Sequence, residues 1–273
     1  MKKTILLSAA TLLLAATTFA QTTATKTLKK VLELKMPKTE DDDMPGTRGA
    51  SVVWHPVQKK YYAVFAGNMN YPLAVFDIKG KRLSDEDLTT MFDIRGMWYN
   101  PTNKSIQMNG FDESGWAEYK LDNKGIPTSA EVLIEGMNQP TAQSTGIYNA
   151  REKAIYYFKA DGDLDKYFPA TGEYDKTVPL HLGKSSENED FENADVVKGY
   201  NSAAAYTDIP GSEIALLNYY DRKIELYSLR TGYKVKELSI PEEVPVESLF
   251  NFAYTNGTYW LFDIEKRTWI GLK

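Results

Sequence analysis

The sequence predicts an all-β fold made of five copies of one four-stranded unit. Three observations carry that expectation. An aromatic residue just before a polar turn recurs at Trp54, Tyr99, Tyr148, Tyr206 and Tyr254, at spacings of 45, 49, 58 and 48 residues. The chain is rich in strand formers, with 18 Tyr, 11 Phe and 5 Trp, and holds no helical period over three turns; residues 84–92 come nearest to one. Finally, the fifth unit is one strand short, while a strand pattern without a unit of its own stands near the N-terminus.

Taken in order, Met1-Lys2-Lys3 is a short basic start, followed by an apolar run over residues 5–16 and small residues before Gln21. This is the layout of a secretory signal peptide, residues 1–20, with the folded domain over residues 21–273. The run is too short to span a bilayer, and no later stretch approaches the ~20 apolar residues a span needs. The expectation is therefore an exported protein, periplasmic or extracellular, monomeric and without membrane insertion. Loss of Lys2 and Lys3 takes the net charge from −5 to −7. An acidic chain without a basic cluster argues against nucleic acid as partner. With no cysteine, disulfides, thiol catalysis and Cys-based metal sites are excluded.

Each recurring aromatic ends a small, apolar strand and is followed by His, Asn or Thr and then Pro, Ala, Asp or Asn, which open turns. Second strands follow at residues 61–65, 106–108, 155–158, 213–217 and 259–262. Third strands follow at 73–76, 116–121, 166–168, 224–227 and 267–270, then turns at Gly80, Gly125, Gly172, Gly232 and Gly271. Fourth strands are clearest at 130–134 and 235–240, and weak after Gly80. A self-similar four-stranded unit of this length is the signature of a β-propeller blade. The five blades are expected at about 48–90, 91–136, 141–183, 199–241, and 246–273 plus 27–37. In the last, the segment over residues 28–37 resembles the fourth strand of unit four down to its closing proline, so it should complete the fifth blade and close the ring. Residues 183–198, acidic and poor in apolar side chains, read as a long surface loop rather than a sixth blade.

The chain resembles five-bladed β-propellers of the general bacterial secreted type, at superfamily level only; the motifs of Kelch, WD40 and YVTN-type repeats are missing. The resemblance implies that first strands line a central tunnel. It also implies a ligand-facing end formed by blade-joining loops (residues 38–47, 84–94, 135–144, 183–199 and 242–248) and by loops after second strands. Those loops carry acidic runs such as Glu40-Asp-Asp-Asp43, and they bring Asn68, Asn109, Asp161, Asn218 and Asp263 to comparable points. Such a ring suits a polar ligand, although Asn and Asp are also ordinary turn residues. Arg48 and Arg95 enter neighbouring first strands on that face, where they can grip an anion or hold loop acids in ion pairs. The opposite end, Tyr99-Asn100-Pro101 and its equivalents, reads as turn chemistry with the least functional content.

Catalytic signals are few. The two histidines, His55 in a turn and His181 in an outer strand, give no Ser-His-Asp arrangement and no His-ligated metal, and no phosphate-binding glycine loop appears. Five-bladed glycoside hydrolases and lyases place acids on inner strands, but none stands in residues 50–54, 96–99, 145–148, 202–206 or 250–254. Asp161-Gly-Asp-Leu-Asp165 has the alternate carboxylates of a calcium loop without its distal Glu, so Ca²⁺ is the one cofactor in question. The expectation is a binding or interaction module for a small polar molecule, a glycan or a protein segment. The alternatives are a carboxylate-dependent hydrolase or lyase of a carbohydrate or lactone, using Asp93 or Glu247, and a scaffold subunit of an envelope complex.

Overall fold

The computed structural model describes residues 26–39, 48–182 and 199–273. The expected signal peptide, the Glu40–Asp43 run and the 183–198 loop lie outside the described residues.

Two strands open the described chain, β1 (Lys26–Thr27) and β2 (Lys30–Lys35), and both find their partners near the far end of the sequence. Blade one holds β3 (Arg48–His55), β4 (Lys60–Ala66) and β5 (Leu73–Phe76). Blade two holds β6 (Ile94–Asn100), β7 (Ser105–Gly110), β8 (Trp116–Leu121) and β9 (Pro127–Ile134). Blade three holds β10 (Gly146–Asn149), β11 (Ala154–Phe158), β12 (Leu164–Tyr167) and β13 (Tyr174–Val178). Blade four holds β14 (Tyr200–Tyr206), β15 (Ile214–Asn218), β16 (Lys223–Tyr227) and β17 (Lys234–Ser239), and blade five β18 (Phe252–Thr255), β19 (Thr258–Asp263) and β20 (Thr268–Leu272). Within each sheet successive strands pair antiparallel, and the result is a five-bladed β-propeller.

The weak fourth strand of blade one is absent as a strand: Arg82 makes only an isolated bridge to Phe76. Residues 84–92 form no helix, and a 3₁₀ turn stands at Asp112–Ser114.

The N-terminal segment closes the ring. Strand β2 pairs antiparallel with β20, from Lys30 opposite Leu272 to Lys35 opposite Thr268, and becomes the fourth strand of blade five. Just before it, β1 adds in parallel to β17, Lys26 opposite Leu238. The segment therefore straps the outer edges of blades four and five together, a second latch that the repeat pattern does not announce.

Strand alternation sends side chains to both faces of every blade, so each blade buries two apolar faces against its neighbours. Five apolar clusters result, one at each blade interface. Trp98 and Trp116 meet Tyr148 and Tyr157 between blades two and three, and Trp260, Trp269 and Leu34 meet Tyr61 and Phe65 between blades five and one. The remaining three clusters join blades one and two, three and four, and four and five.

The innermost strands β3, β6, β10, β14 and β18 lie next to one another around the axis. Glycine lets two of them come into close contact. A Cβ on Gly96 would lie 2.5 Å from the Gly146 nitrogen, so blade two can meet blade three here only through glycine. Each is also the free edge of its sheet. A row of main-chain N–H and C=O groups not used by its own ladder therefore faces the tunnel.

Candidate functional site

The two ends of the tunnel are built differently. At the end where the inner strands begin, side-chain amides stitch one blade to the next. Asn251 Oδ1 accepts the Gly49 N–H at 2.6 Å, joining blade five to blade one. Asn109 Nδ2 donates to Gln139 Oε1 at 2.5 Å and to the Ser144 carbonyl at 2.7 Å, while its Oδ1 accepts the Gly146 N–H at 2.9 Å. Asn201 Nδ2 donates to the carbonyls of Glu247 and Phe250. Phe250 and Asn251 both hold positive φ, 51° and 57°, a strained pair that keeps Asn251 aimed at Gly49.

All seven residues singled out from the sequence lie on this face, and the structure does not gather them into one site. Asn109 is fully buried and spent on the stitch just described. Arg95 is buried too: its guanidinium pairs with Asp93, donates to Gln143 Oε1 at 2.7 Å and lies 4.6 Å over the Phe111 ring. This is the structural ion pair, not an open anion grip. Asn218 caps its own turn by accepting the Asp221 N–H, and it reaches the buried Glu225, which also accepts from the hydroxyls of Tyr200 and Tyr227. Asp263 pairs with Lys266. Asp161 pairs with Lys159, which also reaches Asp165 at 3.4 Å, so one ammonium occupies two of the three carboxylates of the calcium-like sequence, while Asp163 accepts the Leu180 N–H. Asn68 accepts the Asn70 N–H and borders a shallow depression of about 440 Å³ with Met69, Phe92 and Asp93. Arg48 is half-buried and pairs with no described side chain.

At the other end the tunnel widens into a cavity of about 410 Å³. Its collar is made of Trp54, Tyr99, Tyr148, Tyr206 and Tyr254, one aromatic from the same position of each blade. Turn geometry explains why they converge. Each sits at or next to the last position of an inner strand, where the chain leaves the axis for the second strand, so each ring borders the tunnel mouth while packing against the cluster between two blades. Several rings are braced from behind: Trp54 by Tyr61 at 4.6 Å between centroids, Tyr99 by His55 at 4.8 Å, and Tyr254 by Tyr259 at 4.8 Å. Thr255 Oγ1 accepts the Trp54 N–H across the blade five–blade one seam.

Electrostatically this end is quiet. Among the described residues no Lys or Arg borders the cavity, and Asp208 at its rim is the one carboxylate. Asp208 is tied to Arg151 at 2.7 Å. Burial raises the phenol pKa of Tyr99, Tyr148 and Tyr254, and burial with the nearby Asp208 carboxylate pushes Tyr206 up to about 12. All four hydroxyls therefore stay protonated donors at neutral pH. Deeper in the wall, Thr145 Oγ1 is buried and has no hydrogen-bond partner. A buried hydroxyl left unpaired in a tunnel wall is a polar contact waiting for a ligand or water.

Sequence reasoning found these five aromatics but used them only as the repeat marker. The signal was their identity: a turn requires no ring at its first position, and five of five units carry one.

Fold and cavity define a β-propeller with an aromatic-collared tunnel. No family model and no curated protein matches the chain. Among solved structures it is similar to a glutaminyl cyclase from Myxococcus xanthus, at 8% identity over 91% of this chain and 96% of that one, with a TM-score of 0.58. It is also similar to an auxiliary nutrient binding protein from Bacteroides thetaiotaomicron, at 10% identity over 83% of this chain and 58% of that one, with a TM-score of 0.45. A gluconolactonase from Xanthomonas campestris matches at 11% identity over 82% and 75%, with a TM-score of 0.42. At these identities the likeness is one of fold alone. Among the described residues no helix is long and apolar enough to cross a membrane.

Proposed function

We propose that this protein is a ligand-binding propeller whose site is the aromatic collar, and whose ligand presents an uncharged, ring-shaped polar unit, a neutral sugar. The observation that carries this reading is the five-ring collar around a cavity without a cationic side chain. Sugar rings offer apolar C–H faces that stack on aromatics and hydroxyls that need donors and acceptors. The collar supplies the first through its rings. Tyrosine hydroxyls, Thr145 and Asn256 supply the second. The volume suits a site for one or two sugar units, since small-molecule pockets run to ~300–1,000 Å³ with a few placed polar groups in apolar walls.

Binding is favoured over hydrolysis by the carboxylate inventory. A glycosidase of the usual kind needs two carboxyl groups flanking one bond. Asp208 borders the cavity alone among acids, Asp93 is held by Arg95, and Glu247 does not border the cavity. The test is saturation-transfer NMR of neutral oligosaccharides with the protein, followed by titration of Tyr99→Ala and Tyr254→Ala. Each lost ring should cost about 0.5–1.5 kcal/mol, roughly two- to tenfold in Kd. Affinities indifferent to both substitutions would remove the collar as the site.

A further inference from the structure

The concave surface on the collar face continues beyond the collar. A groove of about 510 Å³ lies between blades three and four, and Tyr206 borders both it and the collar cavity. The ridge between the two is the Arg151–Asp208 pair. Asp208 borders the collar side and Arg151 the groove, joined from Arg151 Nε to Asp208 Oδ1 at 2.7 Å and from Arg151 Nη2 to the Asp208 carbonyl at 2.6 Å. A ligand lying across Tyr206 would reach both hollows.

The groove differs from the collar in charge. Its two carboxylates are occupied by the protein. Glu152 accepts the Tyr156 hydroxyl at 2.7 Å and pairs with Lys166 at 2.9 Å. Glu213 accepts the N–H groups of Gly211 and Leu229 at 2.6 and 3.1 Å. Two of its cations are not occupied. Lys176 and Arg230 are exposed at the groove, and neither forms an ion pair or hydrogen bond with a described residue. An Arg fork and an ammonium facing one hollow, with the local acids already committed, are suited to an incoming carboxylate.

We propose that this groove is a second subsite, for a uronate unit, so that the protein's ligand is an acidic oligosaccharide with a neutral ring in the collar and its carboxylate-bearing ring against Lys176 and Arg230. This rests on the collar reading above. Tyr206 would serve as the shared stacking platform at the junction, and the Arg151–Asp208 pair as a hydroxyl clasp over the linkage.

The test is calorimetric titration of the protein, at low salt, with matched pairs: cellobiose against cellobiouronate, and xylotetraose against glucuronosyl-xylotriose. The uronate member should bind about three- to tenfold tighter, because charge-assisted pairs at exposed cations give modest gains. That advantage should vanish in 0.5 M NaCl, to roughly the neutral member's affinity, since exposed pairs are screened. In the double variant Lys176→Ala/Arg230→Ala the advantage should also vanish, with neutral affinity and Tm unchanged because both side chains are exposed. Equal affinities within every pair, or an advantage that survives the double variant, would overturn the second subsite and leave the collar standing. Failure of the neutral members to bind at all would instead overturn the collar, and this subsite with it.

Discussion

Ring closure by the N-terminal strand makes the sharpest stability prediction. Strand β2 sends Leu34 into the cluster between blades five and one, where it is fully buried among Trp260, Trp269 and Phe262. Leu34→Ala leaves a cavity there, and such changes cost about 2–5 kcal/mol. For a domain of this size each kcal/mol lowers Tm by roughly 2–4 °C, so a drop of about 4–20 °C follows. Deleting residues 27–36 does more. It removes Leu28, Leu34 and Met36, all buried, at about 1.5–3 kcal/mol each, and it opens β20 as a bare edge beside Trp269. The sum approaches the ~5–15 kcal/mol that holds a whole domain folded. The assay is thermal melting by near-ultraviolet circular dichroism, which reads the packed tryptophans. A synthetic peptide of residues 26–39 added to the truncated chain should restore part of the loss. A truncated protein melting within about two degrees of the parent would refute the closure argument, whatever the strand pairing looks like.

Other consequences follow from the same geometry. Asn109→Ala leaves the Ser144 carbonyl and Gly146 N–H buried without partners, so it should destabilise the ligand-free protein by roughly 2–5 kcal/mol, seen as a lower urea midpoint with unchanged slope; an unchanged midpoint would return Asn109 to the list of free ligand groups. His55 is buried in its turn, which lowers its pKa below the ordinary imidazole value. The unfolded chain then binds the proton more readily than the folded one, so this contribution to stability is complete above about pH 7 and declines as pH falls through the unfolded imidazole range near 6.5. The Tm difference between the parent and His55→Asn, the residue at that turn position in blades two and three, should therefore shrink from pH 7.5 to 5.5. A difference that grows over this range would show that His55 gains its proton on folding.

Much of this molecule is legible in its sequence, and the physical reason is repetition. Period-two alternation, turn residues and the missing last strand are local properties that recur, so each copy corroborates the others. Trp54 and its four equivalents mark the blades, and the proline-ended segment over residues 28–37 announces the closing strand. The parallel partner β1 was not legible, since two residues carry no pattern. One blade-joining amide was misleading for a definite reason. Asn109 looks like a ligand-facing turn residue in the sequence, and only the closeness of Gly96 and Gly146 turns it into a buried stitch. For Arg95 the sequence leaves an anion grip and a loop ion pair both open, and the contacts with Asp93 and Gln143 decide for the ion pair. The collar was hidden by its own regularity: the feature that fixes the fold also lines the cavity, so assigning the rings to turn chemistry accounted for them without asking where five of them meet.

The two ends of the tunnel therefore offer the most direct test of the account. Arg48 stands about 20 Å from Trp54 along the same strand, six residues at ~3.3 Å each, and is the sequence-predicted ligand residue left without a described partner. Titration of one neutral oligosaccharide into the parent, Tyr254→Ala and Arg48→Ala decides between the ends. The account predicts weaker binding for Tyr254→Ala and an unchanged Kd for Arg48→Ala. Binding that is lost with Arg48→Ala and kept with Tyr254→Ala would contradict it and place the site at the stitched end.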